Sequence, residues 1–269
     1  MSTKKIQGEL WSIAPHYWAK YFEPFFMPMY KTVLQYLKPD ENISLLDAGC
    51  GSGLFSNMAI KSGAQVIAID AAPGLLKLAR ARNPEYNFLE EDIEALPFAP
   101  GSFDIVAGFN SFQYAANFTN ALIEAKRVLR DDGKLVVGIW DKQELSEAAN
   151  ILKAIGSLLP SPPPGTPGPF ALSEDGKMEE ICTEAGLKIV HKTSVGCPFL
   201  YYSVHDAVKA FLGTGPAAAA INCTSEESVR EKIIQAMKPY RLTEDMYHLQ
   251  NSFLVFVMEK KQEQAGCTG

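Results

Sequence analysis

The sequence lacks the patterns that define several common classes of protein. Its five cysteines are widely spaced and include no C-x-x-C pair, which favours reduced thiols over a disulfide framework or a zinc site. No apolar segment follows the lysines near the amino terminus, so no secretory signal is predicted. No apolar run approaches the roughly 20 residues that cross a bilayer. We therefore expect a cytoplasmic protein without a membrane span.

Basic residues are outnumbered by acidic ones. The chain has 25 Lys and Arg against 31 Asp and Glu, a formal net charge of -6. It therefore has no global positive field to attract a phosphate backbone, and no nucleic-acid partner is expected. His191, His205 and His248 have no acidic or cysteine partner at ligand spacing, so no metal site is predicted either.

Apolar runs alternate with helix-period segments between about residues 43 and 140. This alternation predicts an α/β fold with a doubly wound, mainly parallel sheet. The candidate strands are Ile43–Asp47, Gln65–Asp70, Tyr86–Glu90, Phe103–Phe109 and Lys134–Trp140. The candidate helices are Gly53–Lys61, Pro73–Arg82 and Asn117–Leu129, the last of which is expected to end in a turn at residues 130–133.

Two regions depart from this rhythm. Residues 1–42 are rich in aromatic side chains and are predicted to form a helical extension that packs on the domain, a lid over its ligand site, or both. The proline-rich stretch 160–169 is predicted to be an extended connector. Residues 43–269 are expected to form one domain, with about 196–250 inserted as a substrate cap before the last strand. Within this part the candidate elements are Ser173–Ala185, Leu187–Val195, Ser203–Leu212, Ser225–Met237 and Ser252–Glu259.

The most informative motif is a glycine-rich loop directly after the first candidate strand. It reads Asp47-Ala48-Gly49-Cys50-Gly51-Ser52-Gly53. A dinucleotide site requires G-x-G-x-x-G, and its third glycine is replaced by Leu54 in one frame and by Ser56 in the other. No Gly-Lys-Ser or Gly-Lys-Thr follows, so a P-loop is excluded. The loop therefore predicts a different ligand.

The acidic residues at the strand ends suggest which ligand. Asp47 suits a ligand that carries a cation and an amine, such as the sulfonium and α-amino group of S-adenosylmethionine, and the glycines permit close approach of the backbone. Asp70 ends the next strand and can accept hydrogen bonds from two ribose hydroxyls. Asp92 follows the third strand, where an adenine amino group needs an acceptor. Asn110 follows the fourth strand, which is expected to lie beside the first.

Taken together, these segments resemble the class I S-adenosylmethionine-dependent methyltransferases. The resemblance is to the small-molecule type, which includes the ubiquinone and menaquinone biosynthesis enzymes. It covers about residues 43 to 140. It rests on Asp47–Gly53, Asp70, Asp92-Ile93, Leu96-Pro97-Phe98, Ser102–Val106 and Arg127–Leu135, in the family's order.

The resemblance implies a Rossmann-like sheet of seven strands whose last strand is antiparallel. It implies transfer of a methyl group from S-adenosylmethionine, with S-adenosylhomocysteine as product, to an O, N or C atom of a small organic acceptor. A non-catalytic S-adenosylmethionine-binding protein and an NAD-dependent reductase stay open as alternatives, and a monomer and a homodimer are equally compatible. The implied cofactor-binding residues are Tyr17, Trp18, Asp47, Gly49, Gly51, Asp70, Ala71, Asp92, Ile93 and Asn110.

Three further residues are candidates for the acceptor side of the site. Gln113 and Tyr114 follow the fourth strand and are expected to line the substrate pocket. His16 lies in the aromatic amino-terminal segment and is a candidate catalytic base, because histidine titrates near neutral pH. A surface or packing role for His16 is the competing interpretation.

Overall fold

A computed structural model describes residues 2–160 and 170–261. Most of the proline-rich stretch, residues 161–169, and Cys267 lie outside the described residues. The predicted extended connector therefore stays a prediction. Within the described residues, Cys50, Cys182, Cys197 and Cys223 are free thiols.

The domain is organised around one large sheet. Its seven strands run in the order β3-β2-β1-β4-β5-β9-β6, and β9 pairs antiparallel with both neighbours while the other pairs are parallel. The expected seven-stranded sheet with an antiparallel last strand is confirmed. The strands are β1 Ser44–Ala48, β2 Gln65–Asp70, β3 Asn87–Glu90, β4 Phe103–Phe109, β5 Leu129–Trp140, β6 Leu187–Gly196, β7 Phe199–Tyr201, β8 Tyr247–Leu249 and β9 Ser252–Lys260, of which β7 and β8 form a separate antiparallel pair.

Helices cover both faces of the large sheet, as its alternating strand–helix sequence requires. They are α1 Lys4–Trp11, α2 Pro15–Tyr17, α3 Met27–Leu37, α4 Leu54–Lys61, α5 Pro73–Arg82, α6 Phe118–Val128, α7 Ala148–Gly156, α8 Lys177–Glu184, α9 Val204–Leu212, α10 Gly215–Cys223 and α11 Glu226–Met237.

Successive residues of each central strand pack into different halves of the core. Leu45 of β1 and Val136 of β5 belong to the half that packs under the amino-terminal helices, whereas Leu46 and Val137 belong to the half under α6 and α8. Because side chains alternate along a strand, nearly continuous apolar runs are needed to fill both halves. The sheet is therefore buried on both faces.

Two predicted boundaries were wrong. The helix predicted over Ser173–Ala185 begins only at Lys177, because Gly176 has a φ of +81°, which a right-handed helix does not allow. The turn expected at residues 130–133 is part of β5, which begins at Leu129 and pairs there with Phe103. A shift in register between Phe103 and Ile105 accommodates this early start.

The amino-terminal segment packs against the insertion between β6 and β9. Helix α1 contacts α10, and the turn at Trp18–Phe22 contacts α9. That turn is π-helical, and a short 3₁₀ turn at Glu23–Phe26 follows it. The insertion thus supports the amino-terminal helices from outside. Among the described residues, the helices are all too short or too polar to cross a membrane.

Candidate functional site

A cavity lies at the carboxyl ends of β1 to β4, where the strand order reverses between β1 and β4. Ligands of open α/β sheets bind at this position. The cavity is lined by residues of α1, the π turn and the strand ends: Thr3, Lys4, Gln7, Trp11, Trp18, Gly49, Gly51, Ile69, Asp70, Ala71, Leu75, Glu91, Asp92, Ile93, Phe109, Asn110, Ser111, Tyr114 and Ala115.

The glycine loop forms the floor of this cavity. Gly49 and Gly51 have φ angles of +85° and +55°, a region that side chains with a Cβ rarely adopt. The loop is held by backbone bonds from Gly49 N–H and Cys50 N–H to the carbonyl of Ile69, at 2.8 and 2.9 Å. A Cβ on Gly49 would lie 2.2 Å from the Cβ of Ser111. Glycine is therefore required at position 49 for two reasons: the positive φ of the turn, and the clash that a Cβ would make with Ser111.

Asp70 ties the loop to the end of β2. Its carboxylate accepts hydrogen bonds from the N–H groups of Gly51 and Ala72, each at 2.8 Å. Burial raises the pKa of Asp70 to about 6, against the opposing effect of these backbone donors. Each carboxylate oxygen retains acceptor capacity toward the cavity that Asp70 lines.

Asp47 has a different environment from the one the sequence predicts. Its side chain is 1% exposed, accepts a hydrogen bond from Ser56 Oγ and is not among the residues that line the cavity. Burial raises its pKa to about 7, and the nearby Asp70 and Glu23 carboxylates add to this effect. Asp47 thus lies beneath the loop, and the direct contact expected between it and a ligand cation stays a prediction.

A carboxylate that the sequence analysis did not single out occupies the far side of the loop. Glu23 is 2% exposed and accepts hydrogen bonds from Ser52 N–H at 3.0 Å, from Ser52 Oγ, and from Arg82 Nη1 at 3.0 Å. Arg82 also donates to the carbonyl of Ser52 at 2.9 Å. Burial raises the pKa of Glu23, opposed mainly by the charge of Arg82. Glu23 thus fills the position near the start of α4 where dinucleotide folds bind phosphate.

Aromatic side chains form the roof of the cavity. Trp11 and Trp18 meet edge to face with ring centroids 4.9 Å apart, and Trp11 meets Tyr114 at 5.5 Å. Trp18 is 8% exposed, and its indole Nε1 has no hydrogen-bond partner. A buried donor without a partner is costly, which indicates a place for a ligand acceptor atom.

Helix α1 closes the outer side of the cavity and is fastened to both rims. Thr3 Oγ1 donates to the carbonyl of Tyr114 at 2.6 Å, and Lys4 Nζ donates to the carbonyl of Glu90 at 2.9 Å. Ser2 Oγ donates to the carboxylate of Asp92, which also accepts from Glu94 N–H at 2.9 Å. These contacts join the amino-terminal segment to the end of β3 and to the turn after β4.

Asn110 stands at the opposite side of the loop, after β4. It has a φ of +51°, an uncommon conformation for a residue other than glycine, and its N–H bonds to the carbonyl of Gly138 at 2.8 Å. Its side-chain Oδ1 accepts from Gln113 Nε2 at 3.2 Å, while Nδ2 has no partner. The unpaired Nδ2 is a second donor at this cavity.

The structure brings most of the predicted site residues together. The predicted residues that line the cavity are Trp18, Gly49, Gly51, Asp70, Ala71, Asp92, Ile93, Asn110 and Tyr114. The predicted residues that do not line it are His16, Tyr17, Asp47 and Gln113. His16 is exposed, and Tyr17 packs against Tyr21 and Lys209 on the outside of the π turn. Gln113 reaches the cavity only through Asn110.

Several lining residues were not predicted. Lys4, Gln7 and Trp11 come from α1 and Thr3 precedes it, a segment that the sequence analysis treated only as part of a lid. Gly8 allows the close approach of α1, because a Cβ there would lie 2.2 Å from the carbonyl oxygen of Ala71. Among residues 2–160 and 170–261, there is no cluster of side chains that could hold a metal ion.

Comparison with known proteins finds a family model that matches the segment containing the glycine loop. Residues 46–137 match the family model described as "Methyltransferase domain". The resemblance drawn from the sequence is confirmed, and the matched segment contains the glycine loop, Asp70, Asp92 and Asn110.

Two curated relatives are similar to part of this chain. The malonyl-[acyl-carrier protein] O-methyltransferase of Serratia marcescens is 38% identical over 107 residues, which are 39% of this chain and 42% of that protein. The demethylmenaquinone methyltransferase of Renibacterium salmoninarum is 38% identical over 93 residues, 35% of this chain and 39% of that protein. The chain thus spans less than half the length of the curated relatives it matches.

A solved structure extends the likeness to the whole fold. A chain in the complex between the Haloferax volcanii Trm112 methyltransferase activator and a methyltransferase has a TM-score of 0.62 with this protein. The two are 18% identical, and the match covers 97% of this chain and 99% of that one. The Rossmann-like methyltransferase fold therefore includes the segments on either side of the matched domain.

The residues around the cavity fit S-adenosylmethionine. The orphaned donors of Trp18 and Asn110 lie at one cavity with the Asp70 acceptor, so a ligand with both a carboxylate and hydroxyl groups would satisfy all three. Glu23 already accepts the hydrogen bond from Ser52 N–H near the start of α4, so this backbone donor is not free for a pyrophosphate.

Proposed function

We propose that this protein transfers a methyl group from S-adenosylmethionine to an O, N or C atom of a small organic acceptor, leaving S-adenosylhomocysteine. The observation that carries the proposal is the shared cavity of the glycine loop with Asp70 and Asp92. Those two acids follow adjacent parallel strands, β2 and β3. A nucleoside lying across these strand ends would meet acceptors for its hydroxyl and amino groups in order.

Each part of the cofactor has candidate partners. Asp70 would accept hydrogen bonds from the ribose hydroxyls, with Ala71 beside it, and Asp92 and Ile93 would contact the adenine. Gly49 and Gly51 would allow the amino-acid end to approach the backbone, with Asn110 across from them. Because Asp92 is already bonded to Ser2, binding of the adenine requires that bond to exchange or to be shared.

When bound, S-adenosylmethionine supplies a methyl group on a positively charged sulfur, which is already activated for displacement. The chain's own residues then hold the two reactants in line and exclude water. Trp11, Trp18 and Tyr114 provide an apolar roof for this purpose. Burial raises the pKa of Tyr114, so its hydroxyl is unsuited to act as a base at neutral pH.

The proposed organisation follows from the same contacts. Residues 1–42 act as a lid, because α1 and the π turn cover the cavity. Residues 43–269 form the methyltransferase domain, and the insertion at about 196–250 supports the lid. None of the described insertion residues lines the cavity, so a direct role as a substrate cap stays a prediction. Cytoplasmic location and a monomeric or homodimeric state also stay predictions.

A small acceptor is favoured over a macromolecular one. Helix α1 covers the outer side of the cavity, and Lys4, the lining cation, lies 3.7 Å from the carboxylate of Glu91. The two relatives are named for different acceptors, and their likeness covers only 39% and 35% of this chain. The likeness therefore supports the cofactor and leaves the acceptor to experiment.

Calorimetric titration tests the cofactor assignment. We expect S-adenosylmethionine and S-adenosylhomocysteine to bind in the micromolar range and NADH to show no heat of binding, because Glu23 occupies the phosphate position. A folded sample that binds NADH instead would establish the reductase alternative. Absence of binding by all three ligands would contradict both.

Turnover needs a separate measurement. We expect transfer of the labelled methyl group from S-adenosylmethionine to a small molecule in a deproteinised cell extract. An Asp70→Asn variant, with its thermal midpoint measured alongside, provides the control, since it removes one acceptor oxygen from the cofactor site. Binding of S-adenosylhomocysteine without any transfer, across extracts of varied composition, would support the non-catalytic alternative.

A further inference from the structure

A second cleft lies between the amino-terminal segment and the insertion. It is bounded on one side by the π turn and the 3₁₀ turn that follows it, and on the other side by β7 and the start of α9. Phe22 stacks on Trp18, Phe199 stacks on Phe25 of the cleft, and the buried rings of Phe22 and Phe199 contact each other at 5.2 Å. The cleft shares no lining residue with the cavity at the glycine loop, so it is a separate site.

Aromatic rings form the walls of this cleft. Tyr21 and Phe25 come from the amino-terminal segment, whereas Tyr201 and Tyr202 come from the end of β7 and the residue after it. Phe25 meets Tyr201 edge to face at 5.1 Å, and Tyr202 is 67% exposed. Rings arranged in this way favour a ligand with a flat apolar group that can pack against them.

Tyr201 contributes a buried hydroxyl that has no use within the protein. The residue is 2% exposed, and its hydroxyl has no hydrogen-bond partner among the described residues. Burial raises the pKa of Tyr201, so the group stays a neutral hydroxyl that can both donate and accept. A buried hydroxyl without a partner is costly, which indicates a place for a polar atom of a ligand.

One cation and one anion also line the cleft, Lys20 and Asp206. Within residues 2–160 and 170–261, neither side chain takes part in an ion pair. The ammonium groups of Lys20 and Lys209 lie 5.0 and 5.3 Å from the centre of the Tyr21 ring, so an anionic group of a ligand belongs beside this ring. The cleft thus offers opposite charges to a ligand that carries both.

We infer that this cleft binds a free α-amino acid with an aromatic side chain. Lys20 pairs with the carboxylate of the amino acid and Asp206 pairs with its ammonium group, while the Tyr201 hydroxyl bonds to one of these two groups. Tyr21 and Phe25 pack against the aromatic side chain. An aromatic amine or an aromatic carboxylic acid would leave one of the two protein charges without a partner. The inference does not depend on the proposed function, because the two sites have no residue in common.

Three probes with the same ring separate these contacts. L-phenylalanine carries both charges, phenethylamine lacks the carboxylate, and 3-phenylpropionate lacks the ammonium group. In NMR titrations of the ¹⁵N-labelled protein, we expect L-phenylalanine to bind several-fold more tightly than either analogue, with amide shifts concentrated at residues 20–25 and 200–206. Equal affinities for the three probes, absence of L-phenylalanine binding, or shifts confined to other residues would overturn the inference.

Charge variants assign each end of the ligand. Lys20→Gln should weaken binding of L-phenylalanine and 3-phenylpropionate by about two- to fivefold, as for an exposed ion pair, and leave phenethylamine unchanged. Asp206→Asn should weaken L-phenylalanine and phenethylamine and leave 3-phenylpropionate unchanged. Lys61→Gln, an exposed lysine in the last turn of α4, is the control and should alter none of the three affinities. Loss of all three probes to the same extent in Lys20→Gln or Asp206→Asn would contradict the assignment.

The hydroxyl of Tyr201 is tested with a matched pair of tyrosines. Tyr201→Phe should weaken binding of L-phenylalanine by about tenfold or more, because it removes a buried bond to a charged group. It should not lower the thermal midpoint, since the hydroxyl bonds to no described protein group. Tyr247→Phe is the control, because Tyr247 pairs with Tyr201 across β7 and β8 but does not line the cleft. Unchanged affinity in Tyr201→Phe, or an equal loss in Tyr247→Phe, would contradict the inference.

A competition titration distinguishes the cleft from the cofactor cavity, because S-adenosylhomocysteine also ends in an α-amino acid. With S-adenosylhomocysteine at saturation, we expect L-phenylalanine to bind and to shift the same amide resonances. Loss of L-phenylalanine binding under these conditions would place it in the cofactor cavity and overturn the inference. If the protein binds L-phenylalanine at the cleft but does not bind S-adenosylhomocysteine, the inference holds and the proposed function fails.

Discussion

Gly49 and Ser111 fit together so closely that a Cβ on Gly49 would lie 2.2 Å from the Cβ of Ser111. The two residues follow β1 and β4, the adjacent strands that flank the cavity, and Ser111 Oγ donates to the carbonyl of Ala48 at 2.7 Å. This contact fixes the width of the entrance between the glycine loop and the turn after β4.

A Gly49→Ala variant should therefore lose both affinity and stability. The positive φ alone costs about 1–2 kcal/mol for a residue with a Cβ, and the overlap with Ser111 adds to this. We expect S-adenosylhomocysteine binding to become undetectable in calorimetry. Gly101→Ala is the control, because Gly101 has a φ of +68° and no heavy atom near an added Cβ. That variant should show the conformational cost in chemical denaturation and retain full affinity.

An Asp70→Asn variant should weaken the nucleoside contact. Asn has one acceptor oxygen where Asp70 uses two, for Gly51 N–H and Ala72 N–H. We expect binding of both S-adenosylhomocysteine and 5′-methylthioadenosine to fall by roughly ten- to a hundredfold, since both carry the ribose. Asp104→Asn, at the other end of β4, should leave both affinities unchanged. An unaltered affinity in Asp70→Asn would remove Asp70 from the site.

Asp47 should make stability depend on pH. Its pKa in the folded protein is about 7, against 3.8 in an unfolded chain, so the folded state binds the extra proton between these values. Stability from this group is complete below about pH 4 and is lost as the pH rises through 7. We expect the unfolding free energy of Asp47→Asn relative to the unmodified protein to rise by on the order of 4 kcal/mol between pH 4 and pH 8.

Denaturation curves at several pH values measure this difference, and Asp104→Asn supplies a control of opposite sign. Burial opposes ionisation of Asp104, but hydrogen bonds from Ser44 and Arg130 outweigh it and hold its pKa below the ordinary value. Asp104→Asn should therefore cost stability at neutral pH and less at strongly acidic pH. Parallel pH profiles for Asp47→Asn and the unmodified protein would refute the role given to Asp47.

The insertion at about 196–250 should hold the π turn in place, although none of its described residues lines the cavity. A Cβ on Gly213, at the end of α9, would lie 2.4 Å from the backbone nitrogen of Trp18. Gly213→Ala should push the π turn away from the glycine loop and weaken S-adenosylhomocysteine binding by about tenfold. Gly196→Ala is the control, since an added Cβ there has no heavy atom within 4 Å. Normal affinity in Gly213→Ala would show that the lid does not depend on the insertion.

Strand ends were the part of the site that sequence could predict. Asp70, Asp92 and Asn110 follow successive strands, and a parallel sheet necessarily brings those ends to one edge. Gly49 and Gly51 could be predicted equally well, because the loop pattern itself requires their backbone conformation. The central sheet could be predicted for the same reason, since alternating strands and helices admit few topologies.

The parts that the sequence did not reveal depend on contacts between distant residues. The sequence gives no sign that the Asp47 side chain is 1% exposed and accepts a hydrogen bond from Ser56. Tyr17 and Trp18 are adjacent, and a π turn that no 3.6-residue period reveals decides which of them faces the cavity. The bond from Ser2 to Asp92 spans 90 positions and has no local signature.

Strand β9 imposes an order on the synthesis of the protein. It pairs with β5 on one side and with β6 on the other, so neither strand has its full complement of hydrogen bonds until residue 260 has been made. Before β9 is made, β5 can pair only with β4, and β6 has no partner strand in the large sheet. Unpaired strand edges can pair with other chains. We therefore expect chains that end within the insertion to be more prone to aggregate than the full chain.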